Sequence, residues 1–333
     1  MIDPAAAQAA RELLAGARNV LAITHIAPDG DAIGSLTAAG HILGQLGLRF
    51  TLVCDDGLPE RFRFLPLSNR VASAPDPGLV YDLILALDAG DLERLGRAYR
   101  QLRQPPPPIL NVDHHVTNTF FGAVNFVGVE ANSTTEMLFH LLPALDVALT
   151  KELAICLLTG LVTDTLSFRT AGVSADTLQV AGALIDAGAD LFTVVTLGLN
   201  MKELSTLLMW QTGLNNLRSE DGLIWTVIGD EERMAAGHNG GSSFGLGNML
   251  ADVYGVAMSA VLMETGDGKV SVGFRCRPPY DVAELAQELG GGGHRFASGC
   301  SLPGPLAAAE ARVVAACKAA IRRQRAEMAA AAG

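Results

Sequence analysis

Short apolar runs and longer segments with helical spacing alternate along the first part of the chain. The apolar runs, rich in leucine and β-branched residues, predict strands at Asn19–Thr24, Phe50–Cys54, Asp82–Leu87 and Ile109–Val112. Helical spacing predicts helices at Gly30–Leu46, after Asn132, at Lys151–Leu161 and at Ser174–Ala187. This alternation is typical of a parallel sheet flanked by helices.

The pattern changes beyond Asp190, where a helical stretch leads into a second series of strands. The later elements are predicted at Leu223–Ile228, Ala257–Glu264 and Lys269–Arg275, with a final helix over Leu306–Ala326 and a frayed alanine tail. The fold class is therefore α/β. A larger N-terminal domain with a parallel sheet (residues 1–195) is linked by a helix (196–217) to a smaller α/β domain with a mixed sheet (218–333).

The amino-acid composition limits which nucleic acids or other polyanions the protein can bind. Of the 333 residues, 49% are hydrophobic and 18% are charged, as expected of a globular protein. The net charge of −11 has the wrong sign for coating a long duplex nucleic acid, so any polyanionic ligand must be short or held by local positive charge.

Cellular location is predicted from the cysteines and from the apolar runs. The five cysteines are scattered and include no Cys-x-x-Cys pair, which favours a reducing compartment. We find neither a signal-peptide pattern nor an apolar run of membrane-spanning length, so we expect a cytoplasmic protein without a membrane partner.

Polar groups with metal-binding chemistry follow the first predicted strand. His25, Asp29 and Asp31 lie on the segment that opens the next helix. Ligands of open parallel sheets collect at the carboxyl ends of strands, and carboxylates with an imidazole are metal donors. The alternative is a Pro-Asp-Gly turn whose aspartate only caps the helix.

Three further clusters repeat this arrangement. Asp88 ends an apolar strand, although a capping role, which Asp91 would fill equally well, is the alternative. Asp113, His114 and His115 end the next strand, where an acidic residue followed by two histidines is rare as mere surface. Asp164 lies near the end of an apolar helix, which it could simply terminate.

These clusters contain five aspartates and three histidines, of which four aspartates and two histidines are able to converge on one crevice. Such a set suits two divalent ions with one shared carboxylate, which promote in-line displacement at phosphorus. Two histidines among oxygen donors favour Mn²⁺ over Mg²⁺, although Mg²⁺ remains possible.

These motifs, in their order and spacing, resemble those of the DHH phosphoesterase family, and the segment Gly290–Gly299 resembles the signature of the DHH-associated domain. The resemblance covers nearly the whole chain and is greatest to the nano-RNase (NrnA-like) subgroup. It implies a DHH catalytic domain over 1–195 and a substrate-binding domain over 218–333.

The resemblance also implies specific roles for the site residues. One metal ion would be held by His25, Asp29 and Asp88. The second would be held by Asp31, Asp88, His114 and Asp164, with Asp88 as the bridge. His115 would face the scissile phosphate, and Asp113 would act behind the metal ligands.

Substrate recognition is predicted mainly in the second domain. Candidate phosphate-binding residues there are Gly291, Gly292, Gly293, His294, Arg295, Arg275 and Arg277. A flexible glycine hinge and salt-bridged surface arginines are the alternatives. In the first domain, Asn132 and Ser133 could bind phosphate through backbone amides at a helix start, or could simply cap that helix.

The function implied by the resemblance is hydrolysis of short oligoribonucleotides to nucleoside monophosphates and of 3'-phosphoadenosine 5'-phosphate. One alternative is a phosphodiesterase for cyclic di-AMP or its linear product pApA. Another is a nucleotide-binding module without catalysis. A homodimer is possible.

Overall fold

The computed structural model describes residues 3–102, 104–237, 243 and 245–331. The fold is α/β, as predicted, and consists of two compact units that divide between Met201 and Lys202. The first unit carries a six-stranded parallel sheet and the second a six-stranded mixed sheet.

The first unit alternates strands and helices along the chain. Its elements are α1 (Pro4–Ala15), β1 (Asn19–Thr24), α2 (Gly30–Gln45), β2 (Arg49–Val53), β3 (Val71–Ala72), β4 (Leu83–Leu87), α3 (Gly96–Arg100), β5 (Ile109–Asp113), β6 (Val124–Val127), α4 (Thr134–Leu145), α5 (Lys151–Asp164), α6 (Ala175–Asp186) and α7 (Leu191–Val195). The predicted strands and helices all occur here, with bounds that differ by at most a few residues.

The order of the strands creates a switch point in this sheet. The order is β3-β2-β1-β4-β5-β6, so the chain leaves β1 towards β2 on one side and later returns to β4 on the other. All five neighbouring pairs are parallel, which brings the carboxyl ends of β1, β4 and β5 to the same edge. Ligands bind at such an edge in open parallel sheets.

Both faces of this sheet are buried. Val20 and Ala22 of β1 pack into the core that includes α2, α4 and α5, whereas Leu21 and Ile23 pack against the segment around Leu95. Neighbouring residues of a strand point to opposite faces, so an unbroken apolar run identifies a strand covered on both sides.

The chain between residues 196 and 217 is not one helix, contrary to the prediction of a linker helix there. Residues Thr196–Asn200 form a π-helical turn that continues α7, the backbone is extended at Met201 and at Glu203, and α8 spans Leu204–Asn215. No proline lies at the break, and the polar residues Asn200, Lys202 and Glu203 are compatible with an exposed helix face, so the sequence pattern does not show the break.

The second unit begins at α8, and helices pack on both faces of its sheet. Its further elements are β7 (Arg218–Glu220), β8 (Leu223–Ile228), α9 (Asp230–Ala235), α10 (Leu246–Ala251), β9 (Met258–Glu264), β10 (Lys269–Cys276), α11 (Ala283–Glu288), β11 (Gly292–His294), β12 (Ala297–Pro303) and α12 (Leu306–Ala331). In the sheet β11-β12-β10-β9-β8-β7 only β8 and β9 pair in parallel.

The alanine-rich end of α12 is helical to Ala331, so the prediction of a frayed tail after Ala326 is wrong. Alanine has the highest helix propensity of the amino acids, which explains why the helix continues. Within the described residues, no single helix has both the length and the apolar character needed to cross a bilayer. Only α6 combined with Leu191–Asn200, a pair bent by 114°, meets those two requirements.

Candidate metal centre

Four segments of the first unit bring acidic and imidazole side chains to the carboxyl edge of the sheet. His25 follows β1, Asp88 follows β4, Asp113 ends β5, and Asp164 ends α5. All six predicted metal ligands belong to groups whose donor atoms lie within 4.8 Å of one another.

Asp88 faces two groups of these donor side chains, one around His25 and the other around His114. Its Oδ2 is 3.4 Å from Nε2 of His25, and its Oδ1 is 3.7 Å from Nε2 of His114. The side chain is only 2% exposed, and the backbone has the left-handed φ of 57°. Capping of the following turn is done by Asp91, whose Oδ1 accepts from the amide of Arg94. The carboxylate of Asp88 is therefore available to face both groups.

The first group contains His25, Asp29 and Asp88. Nε2 of His25 is 3.9 Å from Oδ1 of Asp29, and its Nδ1 lies 2.7 Å from the carbonyl oxygen of Ile26. Asp29 also caps α2, because its Oδ1 accepts from the amides of Asp31 and Ala32. The capping role and the place in the cluster thus coexist in one residue.

The second group contains Asp31, His114 and Asp164. Nε2 of His114 is 3.3 Å from Oδ2 of Asp164 and 3.9 Å from Oδ2 of Asp31. Gly160 permits this arrangement, since a Cβ at that position would lie 2.4 Å from Oδ1 of Asp31. Asp164 ends its helix and also reaches the cluster.

The N-terminus of α4 holds two of these carboxylates, which sequence analysis did not predict. The amides of Thr134 and Thr135 donate to Asp31 at 2.5 and 3.0 Å, and the hydroxyl of Thr134 donates to Oδ1 of Asp88 at 2.9 Å. A helix N-terminus stabilises negative charge. The only signal in the sequence was the run of threonines behind a capping serine.

Asn132 and Ser133 have clear structural roles at this helix start. Ser133 caps α4 by accepting from the amide of Glu136, whose carboxylate accepts in turn from the amide of Asn132. The side-chain amide of Asn132 donates to the hydroxyl of Thr177. The amides of Thr134 and Thr135, the first two of α4, already donate to Asp31. Phosphate binding at this helix start by Asn132 and Ser133 stays a prediction, and these two amides are not free to contribute to it.

Asp113 supports the cluster from behind. Its Oδ1 lies 2.7 Å from Nδ1 of His115, and its Oδ2 accepts from the side-chain amide of Asn118 at 2.6 Å. The carboxyl group is fully buried. Asn118 was not predicted, because nothing in a loop sequence marks an asparagine that returns to the strand before it. This triad fixes the ring of His115.

The buried carboxyl groups of the cluster differ in how readily they ionise. Burial raises the pKa of Asp31 and of Asp164 well above the ordinary value, and the charge of Asp88 adds to both shifts. Burial also opposes ionisation of Asp88, but the hydrogen bond and charge of His25, with the other histidines, outweigh it and hold its pKa below the usual range.

His115 shows the complementary shift. Burial disfavours its charged form, but the hydrogen bond to Asp113 and the charge of Asp88 outweigh burial and raise the pKa of His115 to about 9. Buried carboxylates this close cannot all be ionised without a compensating cation. Oxygen and imidazole donors in two groups with a shared aspartate fit a pair of divalent ions.

Comparison with known proteins identifies the family. Residues 19–161 match the N-terminal domain of the DHH family, and residues 224–323 match the DHHA1 domain. A relative from Thermus thermophilus, named bifunctional oligoribonuclease and PAP phosphatase NrnA, is 32% identical over 84% of this chain and 83% of its own length. The chain belongs to the DHH family. It is a hydrolase of the DHH phosphoesterase class.

Two further DHH-related proteins are similar to this chain. The cyclic-di-AMP phosphodiesterase GdpP of Geobacillus thermodenitrificans is 28% identical over 86% of this chain, which corresponds to 45% of that relative. A crystal structure of an exopolyphosphatase-related protein from Bacteroides fragilis superposes with a TM-score of 0.85 at 23% identity, covering 97% of each chain. The latter shows that the fold is shared.

The predicted substrate-binding residues of the DHHA1 domain lie on β10 and β11 and in the segments next to these strands. Nε of Arg275 donates to Asn248 at 2.8 Å, and burial lowers the pKa of Arg275. Arg277 forms an ion pair with Asp252, with Nη2 and Oδ1 2.5 Å apart, and Nε of Arg295 lies 3.4 Å from Asp281. Two of the three arginines therefore have acidic partners.

The glycine signature of the DHHA1 domain forms a hairpin. Gly292 and His294 belong to β11 and pair with Gly299 and Ala297 of β12. A Cβ at Gly291 would lie 2.1 Å from the carbonyl oxygen of Gly299, so a side chain is excluded there. The flexible-hinge alternative is wrong, because these residues are held in a sheet. β11 is an edge strand, and its outer backbone groups point away from β12.

Proposed function

We propose that this DHH-family hydrolase is a Mn²⁺-dependent phosphoesterase that degrades short oligoribonucleotides to nucleoside monophosphates and dephosphorylates 3'-phosphoadenosine 5'-phosphate. The observation that carries the proposal is the convergence of two donor groups on the single carboxylate of Asp88. The named activities of the Thermus thermophilus relative agree with it.

The residues that would hold the metal ions follow from the two groups. His25, Asp29 and Asp88 would hold one ion, and Asp31, Asp88, His114 and Asp164 would hold the other. When bound, such a pair of ions lowers the pKa of attacking water and stabilises charge on the phosphoryl group. The mixture of imidazole and carboxylate donors supports Mn²⁺.

The surrounding side chains orient the reaction. Asp113 occupies Nδ1 of His115, so Nε2 is the nitrogen that we assign to a phosphate oxygen of the substrate. The Thr134 hydroxyl and the α4 amides fix the carboxylates of Asp88 and Asp31, which limits their rotation during turnover. Preorganised groups of this kind avoid a reorganisation cost in the transition state.

Recognition of the substrate is proposed for the DHHA1 domain. Arg275, Arg277, His294 and Arg295 supply cationic or donor groups, and the edge strand β11 offers outward backbone groups. The net charge of −11 favours substrates with few phosphates. A reducing cytoplasm, where short RNA is found, agrees with the five free cysteines.

The proposal is tested by hydrolysis of di- to tetraribonucleotides in Mn²⁺, followed by chromatography, with Asp88→Asn as the key variant. Asn tolerates the left-handed backbone of residue 88, so the variant removes charge without adding strain. The matched control is Asp146→Asn, an exposed residue with φ of 56° at the end of α4.

We expect the control to retain wild-type activity and Asp88→Asn to lose at least about 1000-fold, because an asparagine cannot serve both groups as an anionic ligand. Wild-type protein without any Mn²⁺-dependent hydrolysis would refute the function. Undiminished activity in Asp88→Asn would refute the bridging role.

A second candidate function has support from one comparison. The similarity to the cyclic-di-AMP phosphodiesterase GdpP favours cyclic di-AMP or pApA as a substrate. Parallel rates on cyclic di-AMP, pApA, a triribonucleotide and 3'-phosphoadenosine 5'-phosphate would rank the two. A value of kcat/KM for cyclic di-AMP above that for the triribonucleotide would replace our first candidate with the second.

A further inference from the structure

Arg94 reaches the metal centre from a segment that sequence analysis left without a function. It lies in the turn after β4, where its amide donates to Asp91 and its carbonyl oxygen accepts from the amide of Ile26 at 2.8 Å. Gly96 has φ of 71°, and a Cβ there would lie 2.6 Å from both Asp55 and Ile26. The turn is thus fastened directly to the segment that carries His25.

The guanidinium of Arg94 touches a predicted metal ligand. Its Nη2 lies 3.0 Å from Nδ1 of His25, and the same Nδ1 lies 2.7 Å from the carbonyl oxygen of Ile26. Within the described part of the chain, no carboxylate oxygen lies within 4.0 Å of this guanidinium. An exposed arginine thus stands beside a strongly acidic cluster without an ion-pair partner.

A neutral imidazole nitrogen satisfies only one of these two neighbours at a time. An arginine has only donors, so Nδ1 must offer its lone pair to bond Arg94, whereas it must carry a proton to bond the carbonyl of Ile26. If Nδ1 accepts from Arg94, the proton of the neutral ring sits on Nε2, which then cannot ligate a metal ion. Binding of a metal by Nε2 therefore selects the bond to Ile26.

The same selection releases the guanidinium from His25, the imidazole that it contacts among the described residues. Once Nδ1 carries a proton, it no longer accepts a hydrogen bond from Nη2 of Arg94, which remains about one hydrogen-bond length away. A donor-only cation in that position can form charge-assisted hydrogen bonds with an anionic acceptor. A phosphate bound at the metal centre supplies such oxygens.

We propose that Arg94 binds a phosphate oxygen of the substrate when His25 holds a metal ion. The proposal rests on the proposed phosphoesterase function. Arg94 then supplies positive charge next to the substrate from within the catalytic domain, although the protein as a whole is acidic.

The test compares wild type with Arg94→Gln, Arg94→Lys and Arg100→Gln. Arg100 lies in the last turn of α3, so its variant removes one positive charge from the same exposed segment without touching His25. Calorimetry measures Mn²⁺ binding to each metal-free protein and AMP binding to each Mn²⁺-loaded protein. Steady-state kinetics on a diribonucleotide separate KM from kcat.

For Arg94→Gln we expect Mn²⁺ affinity equal to or above that of wild type, because a repulsive cation is removed. We expect the Kd for AMP and the KM for the diribonucleotide to rise about tenfold or more, which is the loss of one charge-assisted hydrogen bond. Arg94→Lys should recover part of the affinity, and Arg100→Gln should match wild type.

Two results would overturn the role of Arg94 while leaving the enzyme function intact. One is unchanged AMP affinity in Arg94→Gln. The other is a fall of Mn²⁺ affinity in step with AMP affinity, which would show that Arg94 only positions His25. A wild-type protein that neither binds Mn²⁺ nor hydrolyses the diribonucleotide would instead overturn the proposed function, and this inference with it.

Discussion

Individual side chains around Asp88 divide into those that would touch metal ions and those that hold the ligands in place. Thr134 belongs to the second kind, because its hydroxyl donates to Oδ1 of Asp88 and its amide to Oδ2 of Asp31. A substitution at residue 134 can remove the hydroxyl hydrogen bond to Asp88, whereas the backbone amide hydrogen bond to Asp31 remains.

Replacement of Thr134 by valine keeps the shape of the side chain and removes the hydroxyl. Because partners behind metal ligands affect activity strongly, we expect kcat/KM with Mn²⁺ to fall about 10- to 100-fold, with Mn²⁺ affinity falling alongside. Thr134→Ser is the control and should retain most activity. Equal activity of the valine and serine variants would show that the bond to Asp88 is dispensable.

The acidic residues of the candidate metal centre were predictable from sequence, whereas Thr134 and Asn118, which support them, were not. Asp88, Asp113 and Asp164 each interrupt or end an apolar segment, where an unpaired carboxylate is costly. Thr134 and Asn118 carry no such signal, because both are ordinary residues of a cap and a loop until the fold brings them to Asp31, Asp88 and Asp113. Arg94 escaped notice for the same reason.

Among the elements, the contact between α2 and α5 decides how Asp31 and Asp164 meet. A Cβ at Gly34 would lie 2.8 Å from the carbonyl oxygen of Cys156 and 2.9 Å from the amide of Gly160. Both neighbours are backbone atoms in the middle of a helix, so they cannot move aside without displacing α5. The helices therefore approach as closely as glycine allows.

Gly34→Ala should lower the free energy of unfolding by about 1–3 kcal/mol, the usual cost of overpacking a core. The matched control is Gly182→Ala in α6, where a Cβ meets nothing within 4 Å. That exposed helical change should raise stability by about 0.5–1 kcal/mol. Thermal denaturation of both variants measures the difference, and a Gly34→Ala protein as stable as wild type would contradict the proposed close contact.

Element bounds followed the sequence where one signal dominated. β1 and β8 match their predicted bounds residue for residue, because each is a short run made up mainly of apolar residues. The break at Met201 and the hairpin of β11 and β12 were missed. In the first case no proline marks the break. In the second a glycine run suggested flexibility, whereas the structure shows close backbone approach in a sheet.

At the scale of the whole molecule, a net charge of −11 opposes the approach of long polyanions. Each added phosphate increases this repulsion, while local cations such as Arg94 serve only the nearest phosphates. Length selection should therefore arise from electrostatics as well as from the shape of the site.

We expect hydrolysis of a diribonucleotide to exceed that of a 20-nucleotide RNA by at least about tenfold in kcat/KM at low ionic strength, with a smaller ratio at high salt because screening weakens the repulsion. Chromatography of reaction time courses at two salt concentrations measures this ratio. A ratio near one, independent of salt, would contradict the electrostatic account.

The central claim is that two divalent ions share the carboxylate of Asp88, and anomalous X-ray diffraction from crystals grown with Mn²⁺ tests it most directly. The account predicts two manganese peaks about 3.5–4 Å apart, one against His25 and Asp29 and the other against His114 and Asp164, with Asp88 contacting both. Manganese absent from these residues, or bound as a single ion that Asp88 does not contact, would contradict it.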